Sequence, residues 1–394
     1  MPSATKKAKI GKESENRERK RKMGKEAKAI ERNPFTPAFG TVPPILAGRS
    51  LLLDEMRTAF MAGSGDPNLS SILVGARGTG KTVCLSCISK EAEEEGWIAV
   101  AVSALPGMLE DIYEQTMMAG RDALPQEPKM RLTGITAGPV GATWESAAQE
   151  QGNWRTRMTG VLSILADSGI GLLITVDEVD ASLDEMITLA AVYQHFVRER
   201  RKVALVMAGL PSNVDALVSN KSVSFLRRAQ RHALGLVSTP DVYDAVRRTV
   251  EGAGKAIEAD ALAACVDAIK GFPYMLQLVG YRCWQAAGSK KTIDLGDARH
   301  GIEAAALDFE ERVIASTYRE LSPTDIRFVQ AMLPDAGESR LADIAERMGV
   351  TSSYASKYRA RLRAAGVIEE VARGIVRFSI PGFREYAGLQ AGEV

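Results

Sequence analysis

One stretch restricts this chain more than any other: L-S-S-I-L-V-G-A-R-G-T-G-K-T, from Leu69 to Thr82. A short apolar run, Gly75, four intervening residues and then Gly80, Lys81 and Thr82 make the complete spacing of a phosphate-binding loop. The loop stands between a strand pattern and a helix pattern over 83–95, the context the motif requires. Glycines let successive backbone N–H groups point at phosphate oxygens where a Cβ would obstruct them. The helix opening at Gly80 adds the positive end of its dipole. Candidate nucleotide-binding residues are therefore Gly75, Ala76, Arg77, Gly78, Thr79, Gly80, Lys81, Thr82 and Val83. Lys81 suits the β and γ phosphates, and the Thr82 hydroxyl suits a Mg²⁺ ion. ATP and Mg²⁺ are the expected cofactors.

A second stretch, L-L-I-T-V-D-E-V-D from Leu172 to Asp180, reads as a buried strand delivering carboxylates at its end. Asp177 suits the metal, and Glu178 suits orienting or deprotonating an attacking water. Such a pair is weak alone; following a phosphate loop within one α/β unit, it points to ATP hydrolysis. Around these stretches, strands over 97–102 and 203–208 alternate with helices over 50–61 and 183–202, with Ser50 as an expected cap. That alternation predicts a parallel sheet covered on both faces, with nucleotide at the carboxyl ends of its strands. Residues 121–153, rich in glycine and proline, read as a hairpin or mobile loop. Arg227, Arg228 and Arg231 follow the 203–208 strand; they suit either solvated charge or an arginine reaching the γ-phosphate of a neighbouring subunit, which makes a homo-oligomer an expectation.

Composition narrows the class. At 394 residues, 45% hydrophobic and 25% charged, the chain has room for two or three units. The longest apolar run, over 161–176, is broken by Asp167, Ser168 and glycines, so no membrane association is expected and the cytoplasm is the default location. Four cysteines are too few for a disulfide framework, and Cys84 and Cys87 lack a second pair or a nearby histidine that would complete a zinc site. Net charge is +1, yet residues 1–32 hold twelve Lys or Arg against five Glu. That arm is too polar to fold alone and suits either nucleic-acid phosphates or a solubilising tail. A proline-rich segment, Asn33 to Pro44, follows as an extended connector.

From Thr239 to about Tyr318 the strands give way to helical patterns, a lid broken by the turn Gly271 to Tyr274. Beyond Leu321, helices over 323–333, 341–348 and 351–365 precede two strands, over 367–371 and 375–379, the layout of a winged helix-turn-helix. Its third helix has four basic residues and no acidic one. Ala355, Tyr358 and Leu362 share the core side, whereas Ser353, Ser356, Lys357 and Ala360 lie opposite. Arg361 and Arg363 flank that face and Arg359 lies nearer the core. Ser353, Ser356, Lys357, Arg359, Arg361 and Arg363 are the candidate DNA contacts, small polar groups for bases and cations for phosphates. A protein-binding winged helix with a solvated basic face is the alternative.

Taken together, G-A-R-G-T-G-K-T, V-D-E-V-D, A-G-L-P, F-L-R-R-A-Q-R and G-F-P-Y-M-L-Q resemble the AAA+ and STAND ATPases near the origin-recognition replication initiators, over residues 40–386. The resemblance implies a P-loop NTPase fold of class α/β: a basic arm and linker (1–39), a parallel-sheet core (40–238), a helical lid (239–318) and a C-terminal winged helix-turn-helix (319–394). It implies that Ile45 to Arg49 packs by the adenine and that Gly271 and Pro273 form the lid's nucleotide-sensing turn. Two departures stand out. Where such proteins carry a polar sensor this chain has Ala208 and Gly209, leaving Ser212 or Asn213 to serve, and the arginine nearest the lid turn is Arg282. These favour a slow ATP-hydrolysing switch that couples nucleotide to DNA binding. The alternatives are a signalling scaffold whose winged helix binds protein, and a replication or transposition helper ATPase.

Overall fold

Residues 32–38, 40–123 and 145–392 are described in the computed structural model of the chain. The basic arm, apart from Arg32, and the centre of the insertion expected over 121–153 lie outside the described residues. Helix α1 (Ser50–Ala62) turns Leu52, Met56, Ala59 and Phe60 inward. Ser50 is its first residue and not its cap. Arg49 takes the cap position, and its guanidinium is drawn to the Gly235 carbonyl at 2.6 Å. Then come β1 (Ser70–Val74), α2 (Lys81–Glu94), β2 (Trp97–Ser103), α3 (Met108–Ala119), α4 (Glu145–Asp167), β3 (Gly171–Asp177) and α5 (Asp184–Arg198). Helix α4 starts inside the stretch expected to be irregular. Helix α5 stops short of Lys202 because Arg200 adopts a left-handed φ of 55° that turns the chain back toward the sheet. β4 (Val203–Gly209), α6 (Pro211–Ser219), a 3-10 segment (Lys221–Arg228) and β5 (Gln230–Ala233) complete this part.

The five strands pair in parallel in the order β2-β3-β4-β1-β5. Alternation along the central strands sends Ile72, Ile174, Leu205 and Met207 to one face, against α3, α4 and α5, and Leu73, Leu173 and Val206 to the other, against α1 and α2. Strand β5 was not expected. Its residues Q-R-H-A are largely exposed because an edge strand needs only one partner.

A helical unit follows: α7 (Thr239–Gly252), the two-residue β6 (Ala256–Ile257), α8 (Ala259–Ile269), α9 (Pro273–Ala287), the two-residue β7 (Thr292–Ile293) and α10 (Leu295–Phe309). A π-turn (Glu310–Ile314) joins α10 to α11 (Ala315–Arg319). The winged helix comprises α12 (Pro323–Met332), β8 (Glu338–Arg340), α13 (Leu341–Met348), α14 (Ser352–Ala364), β9 (Ile368–Ala372), β10 (Ile375–Phe378) and α15 (Phe383–Ala391). Its wing has three antiparallel strands, β8-β10-β9, where two were expected, because the short segment before α13 pairs with β10. One continuous hydrophobic core runs from α7 to α15. Tyr318 seals the junction, its ring 6.1 Å from Phe383 and 5.6 Å from Tyr386.

The proline-rich segment before α1 is a strap. Phe35 is 1% exposed, seated so closely on α9 that a Cβ at Gly280 would fall 2.3 Å from its ring. Asn33 Nδ2 donates to the Tyr281 carbonyl at 2.9 Å, and the Thr36 N–H to Gln277 Oε1 at 3.0 Å. The strap thus fastens the helical unit to α1 across the sheet's carboxyl end.

Candidate nucleotide site

Strand β1 delivers the phosphate loop beside the ends of β3 and β4, and α2 begins beneath it. Lys81 Nζ donates to the carbonyls of Gly75 at 3.0 Å and Ala76 at 2.9 Å, and Thr79 Oγ1 donates to Ala76 O at 2.9 Å. Burial lowers the Lys81 pKa, while Asp177 and Glu178 act in the opposite direction. Gly78 has a φ of 78°, and a Cβ there would meet the Phe272 ring at 2.8 Å, so the helical unit rests directly on the loop. Thr82 Oγ1 donates to Asp177 Oδ2 at 2.5 Å. A hydroxyl and a carboxylate held in contact form a hard-oxygen set that fits Mg²⁺. Glu178 follows at a φ of 55°, unusual for a side chain other than glycine, with its N–H on Asp177 Oδ1 at 2.9 Å. Both carboxylates line the cavity, and that of Asp177 is the one bonded to Thr82.

The cavity above the loop measures about 720 Å³. Its lining includes Arg49, Arg77, Gly78, Thr79, Gly80, Lys81, Thr82, Val83, Asp177, Glu178 and Pro273. Gly75 and Ala76 lie below, presenting their carbonyls to Lys81. The strap supplies Thr36, Pro37 and Thr41, and the helical unit supplies Tyr274, Gln277 and Arg312. None of these was singled out from the sequence. Tyr274 and Gln277 fall within the G-F-P-Y-M-L-Q stretch without having been named as contacts, whereas Thr36, Pro37, Thr41 and Arg312 belong to segments without a motif and reach the loop only through tertiary packing.

The substitute sensor residues lie away from the cavity lining. A Cβ at Gly209 would fall 2.4 Å from Val179 Cγ2, so the end of β4 has no room for a polar side chain. Ser212 and Asn213 lie on α6 outside the cavity lining. Arg282 is held by Asp308, with Nε donating at 2.7 Å, and does not line the cavity either. Arg227 and Arg228 also lie outside their own chain's cavity, and Arg227 Nε donates to the Val218 carbonyl at 3.2 Å.

The candidate DNA face is less open than its helix alone implies. Ser353, Lys357 and Ala360 are exposed, Ser356 and Tyr358 are half-buried, and Ala355 and Leu362 are buried. Each arginine has a carboxylate partner: Arg359 and Arg363 pair with Glu370 of β9 at 3.0 Å, and Arg361 with Asp325 of α12 at 3.2 Å. The charge is one-signed only within the helix, since neighbouring elements supply the counter-charge. Helix α14 also lies against α6, and a Cβ at Gly366 just beyond it would stand 3.6 Å from the Arg77 backbone nitrogen.

The strand order, the phosphate loop between β1 and α2, the carboxylates closing β3 and the helical unit define a P-loop NTPase fold with a helical lid and a C-terminal winged helix. Among solved structures, the chain resembles the ORC2 protein of Aeropyrum pernix, determined as ADPNP–ADP complexes, at 12% identity over 90% of this chain and 97% of that one, TM-score 0.57. It also resembles Cdc6p of Pyrobaculum aerophilum at 15% identity, covering 91% and 96%, TM-score 0.48. A third likeness is to RuvB of Thermotoga maritima, a Holliday junction branch migration motor, at 15% identity, covering 88% and 96%, TM-score 0.43. The family model described as a domain of unknown function (DUF8462) matches residues 311–387, from the π-turn into α15. No curated protein sequence matches the chain. Among the described residues, no helix is long and apolar enough to cross a membrane.

Proposed function

We propose that this chain is an ATP-binding and ATP-hydrolysing switch whose nucleotide state governs how the winged helix is presented to DNA. The observation that carries the reading is the shared wall of the cavity. The phosphate loop forms one side, and the lid and the joint to the winged helix form the other, bridged by Arg77 and Glu320 at 3.1 Å. Lys81 moves from the Gly75 and Ala76 carbonyls onto phosphate oxygens, which replaces two bonds to neutral acceptors with bonds to anionic ones. Thr82 and Asp177 would hold Mg²⁺, which would supply charge neutralisation on the phosphates. Glu178 orients and deprotonates water at the γ-phosphate. Because the lid and winged helix share one core, closing the lid carries the winged helix with it.

The test is a DNA titration at fixed salt with ATP, with ADP and without nucleotide. A difference of about tenfold or more between ATP and ADP is expected from typical coupling energies. Equal affinities in all three conditions would sink the coupling. The paired arginines of α14 favour a second reading, a scaffold whose winged helix contacts protein; no DNA binding at low salt selects it.

A further inference from the structure

Resting on the reading of the cavity as an ATP site, the geometry points to Arg312 as the group by which the lid-to-wing joint holds the terminal phosphate. Four cationic side chains line the cavity, Arg49, Arg77, Lys81 and Arg312, against two carboxylates, Asp177 and Glu178. The cavity is thus suited to a polyanion. Three of these cations are already engaged: Arg49 by the Gly235 carbonyl, Arg77 by Glu320, and Lys81 by the loop carbonyls. Among the described residues, Arg312 is the lining cation with no hydrogen bond or ion pair.

Arg312 also sits where a contact would have most leverage. It lies in the π-turn Glu310–Ile314, an extra residue inserted in a helix, a feature kept mostly where it serves a function. Ser316 and Thr317, one turn on, line the same cavity. Ile314, two residues away and 4% exposed, belongs to the core shared with the winged helix, and a Cβ at Gly382 would meet its Cδ1 at 3.2 Å. Tyr318 then packs on Phe383 and Tyr386 of α15. A phosphate that draws Arg312 inward therefore moves the winged helix, and ADP, lacking the third phosphate, does not.

Binding of ATP and of ADP to wild type, Arg312→Ala and Arg312→Lys decides the matter, with a melting curve without nucleotide as the folding check. Arg312→Ala is expected to bind ATP roughly ten- to a hundredfold more weakly, the scale of one lost charge-assisted hydrogen bond, and to keep ADP within about twofold. Arg312→Lys is expected to fall between. The ratio of DNA affinities with ATP and ADP should approach one in Arg312→Ala. Equal loss of both nucleotides, or no loss of ATP, overturns the assignment while leaving the ATP site standing. Failure of the wild type to bind either nucleotide overturns both.

Discussion

At the scale of single residues, the site depends on groups held by partners they must later release. Removing the Lys81 ammonium leaves the loop without its movable cation, so Lys81→Ala should lose ATP binding by at least about tenfold in a nucleotide titration. Glu178→Gln keeps the shape of the side chain but not its basicity. It should therefore bind ATP normally and hydrolyse it about 10² to 10⁴ times more slowly in a single-turnover assay. Normal turnover in that variant would remove Glu178 from the chemistry. Gly209 is a residue of a different kind. Any side chain there pushes against Val179 across the end of the sheet, and Gly209→Ser should cost about 1–3 kcal/mol in chemical denaturation, the usual penalty of overpacking. A variant as stable as wild type would show that β4 can accept a polar group beside the phosphates.

Among the elements, the strap changes the picture most. Phe35 is its anchor, filling the notch that Gly280 leaves in α9. Phe35→Ala should destabilise the protein by about 3–5 kcal/mol, as deletion of a buried aromatic does. It should also weaken nucleotide binding, because Thr36, Pro37 and Thr41 wall the cavity. Thermal melts with and without ATP check both parts, and an unchanged ATP-induced shift would separate the strap from the site. From sequence, that segment is only proline-rich and extended, since its docking depends on a notch some 245 positions away, a tertiary fact that no local period encodes. The central strands were readable for the opposite reason: their apolar runs are buried on both faces, and the phosphate loop fixes which strand is β1. Strand β5 escaped because its four residues, three of them polar, pair along one side only. The π-turn escaped because a single extra residue leaves the helical pattern of 295–319 nearly unchanged, and with it went Arg312.

For the whole molecule, the described residues form two bodies meeting at the cavity: a sheet packed on both faces, and a lid continuous with the winged helix. Arg77 and Glu320 bridge them, with 52% and 60% of their side chains exposed. A pair so wet contributes at most about 1 kcal/mol to stability. Its value lies in position: Arg77 belongs to the phosphate loop, and Glu320 ends the joint that carries Arg312. An incoming triphosphate competes with Glu320 for Arg77, so the bridge holds the two bodies together before nucleotide arrives, and nucleotide contacts replace it afterwards. Glu320→Arg replaces this attraction with repulsion. It should leave the melting temperature nearly unchanged, separate labels placed on α6 and α14, and make DNA affinity less dependent on ATP. Reduced salt should enlarge the separation, because screening of exposed charges falls. If the label distance in Glu320→Arg matches wild type at low salt, the bridge does not hold the bodies together. The packing of α14 on α6 would then have to do so alone.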